Sequence, residues 1–152
     1  MINFNKRNFI KNSLFLFVAV TSANISKIFA DWPSKIFNAR SSNNVINALA
    51  NDSNINESEL IAIKAPDIAE NGGVVPVTVS TELENVKNIA ILVENNPSPL
   101  TSSFSINSRA TPYVSTRVKM AKTSNITAIV ATDDGYYRAS RSIKVTIGGC
   151  GG

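Results

Sequence analysis

A mainly β fold is predicted for this chain. The expectation is an immunoglobulin-like antiparallel β-sandwich of about seven strands, with a short N-terminal helical segment and a flexible Gly-rich C-terminal arm. Three observations predict it. From Ile61 onward, apolar residues recur with a period of two, which puts alternate side chains on one face of a strand. Turn residues bound the runs: Asn71-Gly72-Gly73, Asn95-Asn96-Pro97-Ser98-Pro99 and Asp134-Gly135. The chain has 152 residues, 43% of them hydrophobic, which suits one domain with its own core.

Residues 1–30 read as an export signal. Lys6, Arg7 and Lys11 make a basic start, and Leu14 to Val20 is an apolar run too short to span a membrane. Ile28-Phe29-Ala30 and Thr21-Ser22-Ala23 are the two competing cleavage sites. Asn5-Lys6-Arg7-Asn8-Phe9-Ile10-Lys11 resembles a twin-arginine export motif with Lys6 in place of the first arginine. The expected location is the periplasm.

Residues 31–60 read as short helices and a linker. Pro33 suits a first helical turn, with Asp31 near its positive end. Trp32, Ile36 and Phe37 form one apolar face, and Val45, Ile46 and Leu49 a second. Asn51 to Glu59 reads as polar linker.

Residues 61–147 carry the strand pattern. Ile61 and Ile63 open it. Val75, Val77 and Val79 follow, with Pro76 expected on an edge or at a bulge. Ile89, Ile91 and Val93 form the next apolar face, then Phe104 and Ile106. Val114, Thr116, Val118 and Met120 share a face, as do Ile126, Ala128 and Val130. Asp134-Gly135 signals a hairpin. Tyr137 starts the last strand, whose inner face is expected to end in Ile143, Val145 and Ile147.

Charge and composition exclude several classes of function. Four of the fifteen basic residues (Lys6, Arg7, Lys11 and Lys27) lie in the first thirty positions, which hold no acidic residue. Beyond them eleven basic residues face eleven acidic ones, so the basic stripe needed for nucleic acid is missing. The sequence has no histidine, which removes the commonest general base and metal ligand. No metal site and no cofactor are expected. Asp133-Asp134 reads as turn chemistry, not as a catalytic carboxylate pair. Arg117, Lys119 and Lys122 read as a solvated face able to meet an anion or an acidic partner.

The sole cysteine is Cys150, in the tail Gly148-Gly149-Cys150-Gly151-Gly152. One cysteine makes no disulfide within its own chain. The remaining uses are a bond to another chain, a small-molecule adduct, or a thiol kept for use. An unassisted thiol titrates near ~8.5 and nothing nearby in sequence lowers that value. A catalytic cysteine needs a base beside it, whereas a carrier cysteine is activated by the enzyme that loads it. Side-chain-free glycines give such an arm a thin, mobile backbone. Cys150 is therefore the candidate attachment point, Gly148, Gly149, Gly151 and Gly152 form its arm, and no catalytic residue is assigned.

The same residues resemble a known family. Val145-Thr146-Ile147-Gly148-Gly149-Cys150-Gly151-Gly152 looks like the signature end of SoxY, the sulfur carrier of the bacterial thiosulfate-oxidising (Sox) system. Ala65 to Val77, Ile91 to Leu100 and Val114 to Ala121 are similar to internal blocks of that family. The resemblance implies a non-enzymatic carrier that holds sulfur intermediates covalently on Cys150. It implies a SoxZ-like subunit as heterodimer partner. It further implies a c-type cytochrome, SoxAX, that loads the thiol, a hydrolase, SoxB, that releases sulfate, and in some systems SoxCD. Two other readings stand beside it. One is an exported structural or assembly module using Cys150 for an intermolecular disulfide. The other is a cytoplasmic carrier with a diglycine thiocarboxylate, against which the leader and the strand pattern argue.

Overall fold

The computed structural model describes residues 34–50 and 53–147. The export signal, Trp32, Pro33 and the tail from Gly148 to Gly152, Cys150 included, lie outside the described residues.

Two short helices come first, α1 (Ser34–Phe37) and α2 (Ser42–Leu49). Nine strands follow: β1 (Ile55–Glu57), β2 (Ile61–Lys64), β3 (Ile68–Ala69), β4 (Val75–Thr81), β5 (Asn88–Val93), β6 (Leu100–Ser105), β7 (Tyr113–Val118), β8 (Ser124–Ala131) and β9 (Tyr136–Val145). They form two sheets. One runs β1-β9-β8-β5-β6, with β3 also paired to β9; the other runs β2-β4-β7. This is the expected sandwich, and seven of the strands are those that the apolar periodicity marks. The other two, β1 and β3, are three and two residues long.

The main core lies between the sheets. The β4 residues Val75, Val77 and Val79 meet Ile89, Ile91 and Val93 of β5 and Ile126, Ala128 and Val130 of β8, all essentially inaccessible to solvent. Met120 and Ile143 complete it. Met120 sits two residues past the end of β7 yet is fully buried.

A second apolar cluster covers the opposite face of the larger sheet. Val45 of α2 packs with Ala90, Leu92, Leu100 and Ile129, and Ile36, Phe37 and Leu49 join it. The helices therefore make β5 a strand buried on both faces, which is why Asn88-Ile89-Ala90-Ile91-Leu92-Val93 is almost continuously apolar. Ser42 Oγ donates to the Glu94 carbonyl at 3.0 Å and Ser98 Oγ donates to the Phe37 carbonyl, so both helices are tied to the β5–β6 connection.

Pro76 lies in β4, the middle strand of its sheet, but opposite a gap. The β2 ladder ends at Lys64↔Thr78, so beyond Thr78 only β7 is paired with β4. Pro76 thus occupies a locally unpaired edge, where a missing N–H costs nothing. The β8–β9 hairpin turns as expected. Thr132 Oγ1 accepts from the Asp134 and Gly135 amides at 3.1 and 3.2 Å, and Gly135 takes φ +148°, a region open to glycine.

Two expectations need correction. Ile147 does not complete the inner face of β9: the strand ends at Val145, and Ile147 is 63% exposed. The apolar alternation continues two residues beyond the sheet. The stretch read as linker also contains β1, held by parallel pairing to β9 and by Arg138 Nε to Glu57 Oε1 at 2.7 Å.

Candidate functional site: the root of the C-terminal arm

The last described residue, Ile147, stands three positions before Cys150. The candidate site is therefore the structure from which the arm departs. Its frame is β9, which is paired on both sides. Along one side it pairs antiparallel with β8 from Tyr136 to Ile143. Along the other it pairs parallel with β1 at its start and with β3 at its end, Ile68↔Lys144 and Ala69↔Val145.

Past the strand the chain remains tied down. The Lys144 amide donates to the Asp67 carbonyl at 2.9 Å and the Thr146 amide to the Ala69 carbonyl at 3.1 Å. Thr146 Oγ1 donates to the Glu70 carbonyl at 3.0 Å. The Gly72 amide donates to the Ile147 carbonyl at 2.8 Å. Gly72 is part of the Asn71-Gly72-Gly73 turn, in which Asn71 Oδ1 accepts from the Gly73 amide at 2.7 Å. A Cβ on Gly73 would fall 2.9 Å from that same oxygen, so the turn is built for glycine there.

The other flank is the β7–β8 connection. Thr123 Oγ1 accepts from the Val145 amide at 3.0 Å and reaches the Val145 carbonyl at 3.4 Å. The Met120 amide donates to the Gly72 carbonyl at 2.7 Å, joining both flanks. This connection is itself held by the β5–β6 turn. Asn96 Nδ2 donates to the Lys119 carbonyl at 2.7 Å, Asn96 Oδ1 accepts from the Ala121 amide at 2.9 Å, and Asn95 Nδ2 donates to the Thr123 carbonyl at 3.0 Å.

Asn95-Asn96, legible in the sequence only as a break, is thus a brace for the arm root. The signal that pointed to it was the block Ile91 to Leu100 in the family resemblance. Periodicity carries no trace of Thr123, Glu70 or Asn96, because each acts through a hydrogen bond across the fold.

Lys119, Lys122 and Lys144 flank the root, are exposed, and form no ion pair among the described residues. Arg117 is exposed on β7. Asp133 pairs with Lys87 at 3.1 Å with both side chains more than half exposed, as befits a solvated turn. Among the described residues no cluster of carboxylates or other ligands is arranged to hold a metal, and no helix is long and apolar enough to cross a membrane. A cleft of about 250 Å³ lies between the helices and the larger sheet, lined by Ile36, Phe37, Leu49, Ala90, Ile129 and Tyr136. Tyr136 begins β9 and the arm leaves beyond its other end, roughly 30 Å away at about 3.3 Å per strand residue. The cleft is not the setting of the thiol.

These features define a class: a β-sandwich that fixes the root of a short cysteine-bearing segment and offers it no catalytic apparatus among the described residues. The comparisons with known proteins agree. A family model described as sulfur oxidation protein SoxY matches residues 46–150. The structure of the sulfur carrier protein SoxY from Chlorobium limicola f thiosulfatophilum is similar at 46% sequence identity, with a TM-score of 0.64, covering 69% of this chain and 96% of that one. Superoxide reductase (neelaredoxin) from Ignicoccus hospitalis is similar at 21% identity and a TM-score of 0.51, covering 57% of this chain and 80% of that one. That likeness is one of fold alone. No curated protein matches the sequence. The chain belongs to the SoxY family, and this membership supports a sulfur-carrier role in the Sox system.

Proposed function

We propose that this chain is the exported, periplasmic sulfur carrier of thiosulfate oxidation, and that the Cys150 thiol is where the cargo is bound. The observation that carries the reading is the arm root: five backbone and side-chain ties fix residues 144–147, three positions before the chain's sole cysteine. Residues 1–30 serve as the leader, residues 31–60 cover the larger sheet, and residues 148–152 form the arm. A SoxZ-like subunit is the heterodimer partner.

The chemistry balances as follows. The Cys150 thiol and thiosulfate lose a proton and two electrons as a sulfur–sulfur bond forms, giving a cysteine S-thiosulfonate. The electrons go to a c-type cytochrome, SoxAX in family terms. Water then cleaves the terminal sulfur–sulfur bond, releasing sulfate and a proton and leaving a persulfide on Cys150. A separate hydrolase, SoxB, performs that step, and SoxCD or a storage route removes the remaining sulfur. This chain supplies the sulfur atom that is bonded and the arm that presents it. The partners supply base, oxidant and water.

The test is the intact mass of the protein from thiosulfate-grown cells. Reducible additions of about 32 or about 112 daltons at Cys150 are expected, the atomic-mass sums for one sulfur and for a thiosulfonate group. Cys150→Ser should fold normally and abolish thiosulfate turnover in a reconstituted system. Full turnover by that variant would overturn the reading.

A further inference from the structure

Five large apolar side chains among the described residues are conspicuously exposed: Leu60, Ile68, Val74, Tyr113 and Ile147. Three of them surround the arm root. Ile147 accepts through its carbonyl from Gly72, Val74 follows Gly72 by two residues, and Ile68 is in register with Lys144 three residues before Ile147. All three backbones therefore lie within about 10 Å of the Gly72–Ile147 hydrogen bond, given strand rises near 3.3 Å per residue. Leu60 and Tyr113 sit at the opposite end of β4, beside Glu82 and Ser80.

Aliphatic side chains left 56%, 58% and 63% exposed around one point are unlike scattered surface residues. We infer that Ile68, Val74 and Ile147 form an apolar collar on which a partner enzyme seats the rim of its active-site entrance while Cys150 is inside. The inference rests on the carrier reading and goes beyond it by placing the docking surface.

Chain length gives the reason. Three residues separate Ile147 from Cys150, so the two Cα atoms lie at most about 11 Å apart in any conformation. An enzyme that encloses the sulfur must bring its entrance to the collar. The side chains there become covered whenever the thiol is engaged, and an apolar rim gains by covering them. The extent of the collar sets the lifetime. Three side chains are far short of the ~800 Å² per partner, some 20–30 residues a side, of a stable complex. The collar therefore suits brief docking with enzymes that must let go, and a permanent subunit needs a larger surface elsewhere.

The test is steady-state kinetics of a reconstituted thiosulfate-oxidising system, with the mature carrier as the varied substrate and cytochrome reduction as the readout. Ile68→Ser, Val74→Ser and Ile147→Ser combined should lower kcat/KM for the carrier at least tenfold, while kcat at saturation changes less than twofold. A loss of this kind is what removal of a small apolar contact set from the encounter predicts. Two checks accompany it: the thermal midpoint and the rate of Cys150 alkylation by iodoacetamide should both match the parent. The control pair Leu60→Ser and Tyr113→Ser, at the far end of β4, should leave kcat/KM unchanged. If the triple variant fails to fold, Ile147→Ser alone serves, with about a threefold loss expected. A triple variant with parental kcat/KM, or a control pair that loses as much, overturns the collar. With Cys150→Ser inactive in the same assay, the carrier reading survives that result; with Cys150→Ser active, it does not.

Discussion

Thr123 has one hydroxyl and brings it to both backbone polar groups of Val145. At the end of a sheet these groups would otherwise depend on water. A hydroxyl is suited to both because it accepts and donates with the same atom. Thr123→Val keeps the shape and removes the tie. Since the position is exposed, water replaces part of the loss, and the expected cost is about 1 kcal/mol or less in urea unfolding. The more telling measurement is amide hydrogen exchange, where Val145 should lose protection while Ile89 and Ile91 in the core keep theirs. Equal protection at Val145 in both proteins would remove Thr123 from the root. At the same scale, the three ion pairs contribute little, because their side chains are 39–84% exposed. Hydrogen bonds to backbone, more than charge, fasten this end of the molecule.

At the scale of elements, the legible part of the fold is the part governed by repetition. Val75, Val77 and Val79, or Ile126, Ala128 and Val130, repeat often enough for a period of two to be read. β1 and β3 are too short to repeat at all. They exist because β9 is ten residues long and has a side that β8 does not cover, so Ile55–Glu57 and Ile68–Ala69 are recruited by a partner distant in sequence. Ile147 misled for the converse reason, its alternation outrunning the sheet. Of the arm's attachment, Asn71-Gly72-Gly73 is readable as a turn, but its bond to the Ile147 carbonyl is a tertiary fact. The same limit applies to β5, whose Ala90 and Leu92 look like the outward half of an alternating strand until α1 and α2 are laid over them. Leu92→Ala, fully buried in that second cluster, should cost about 2–5 kcal/mol in urea denaturation. A cost below ~1 kcal/mol would mean that the helices contribute little to the fold.

For the molecule as a whole, the decisive quantity is the distance from body to thiol. Removing Gly148 and Gly149 together would draw Cys150 toward the sandwich by about 7 Å, two residues of extended chain. The sandwich has no part in that change, so the thermal midpoint should stay within a degree or so of the parent. Alkylation of Cys150 by a small reagent should persist. Thiosulfate turnover with the partner enzymes should fall by at least an order of magnitude, because an entrance stopped by the collar no longer receives the sulfur at its reacting centre. Restoring the length with two serines should recover much of the rate, since it is reach that the deletion removes. A shortened arm that turns over at the parental rate would show that the partners approach the thiol without surrounding it.

The pairing of β9 on both sides has a mechanical consequence. A tail leaving from an edge strand can be peeled away, one hydrogen bond yielding after another. Here the tail leaves in line with a strand flanked by β8 on one side and by β1 and β3 on the other. The ladder bonds run across that line. A tug along the tail therefore loads them together as shear, and no single bond yields first. An enzyme that grips the tail tightly and then withdraws pulls against the whole sheet, so the grip fails before the carrier unravels.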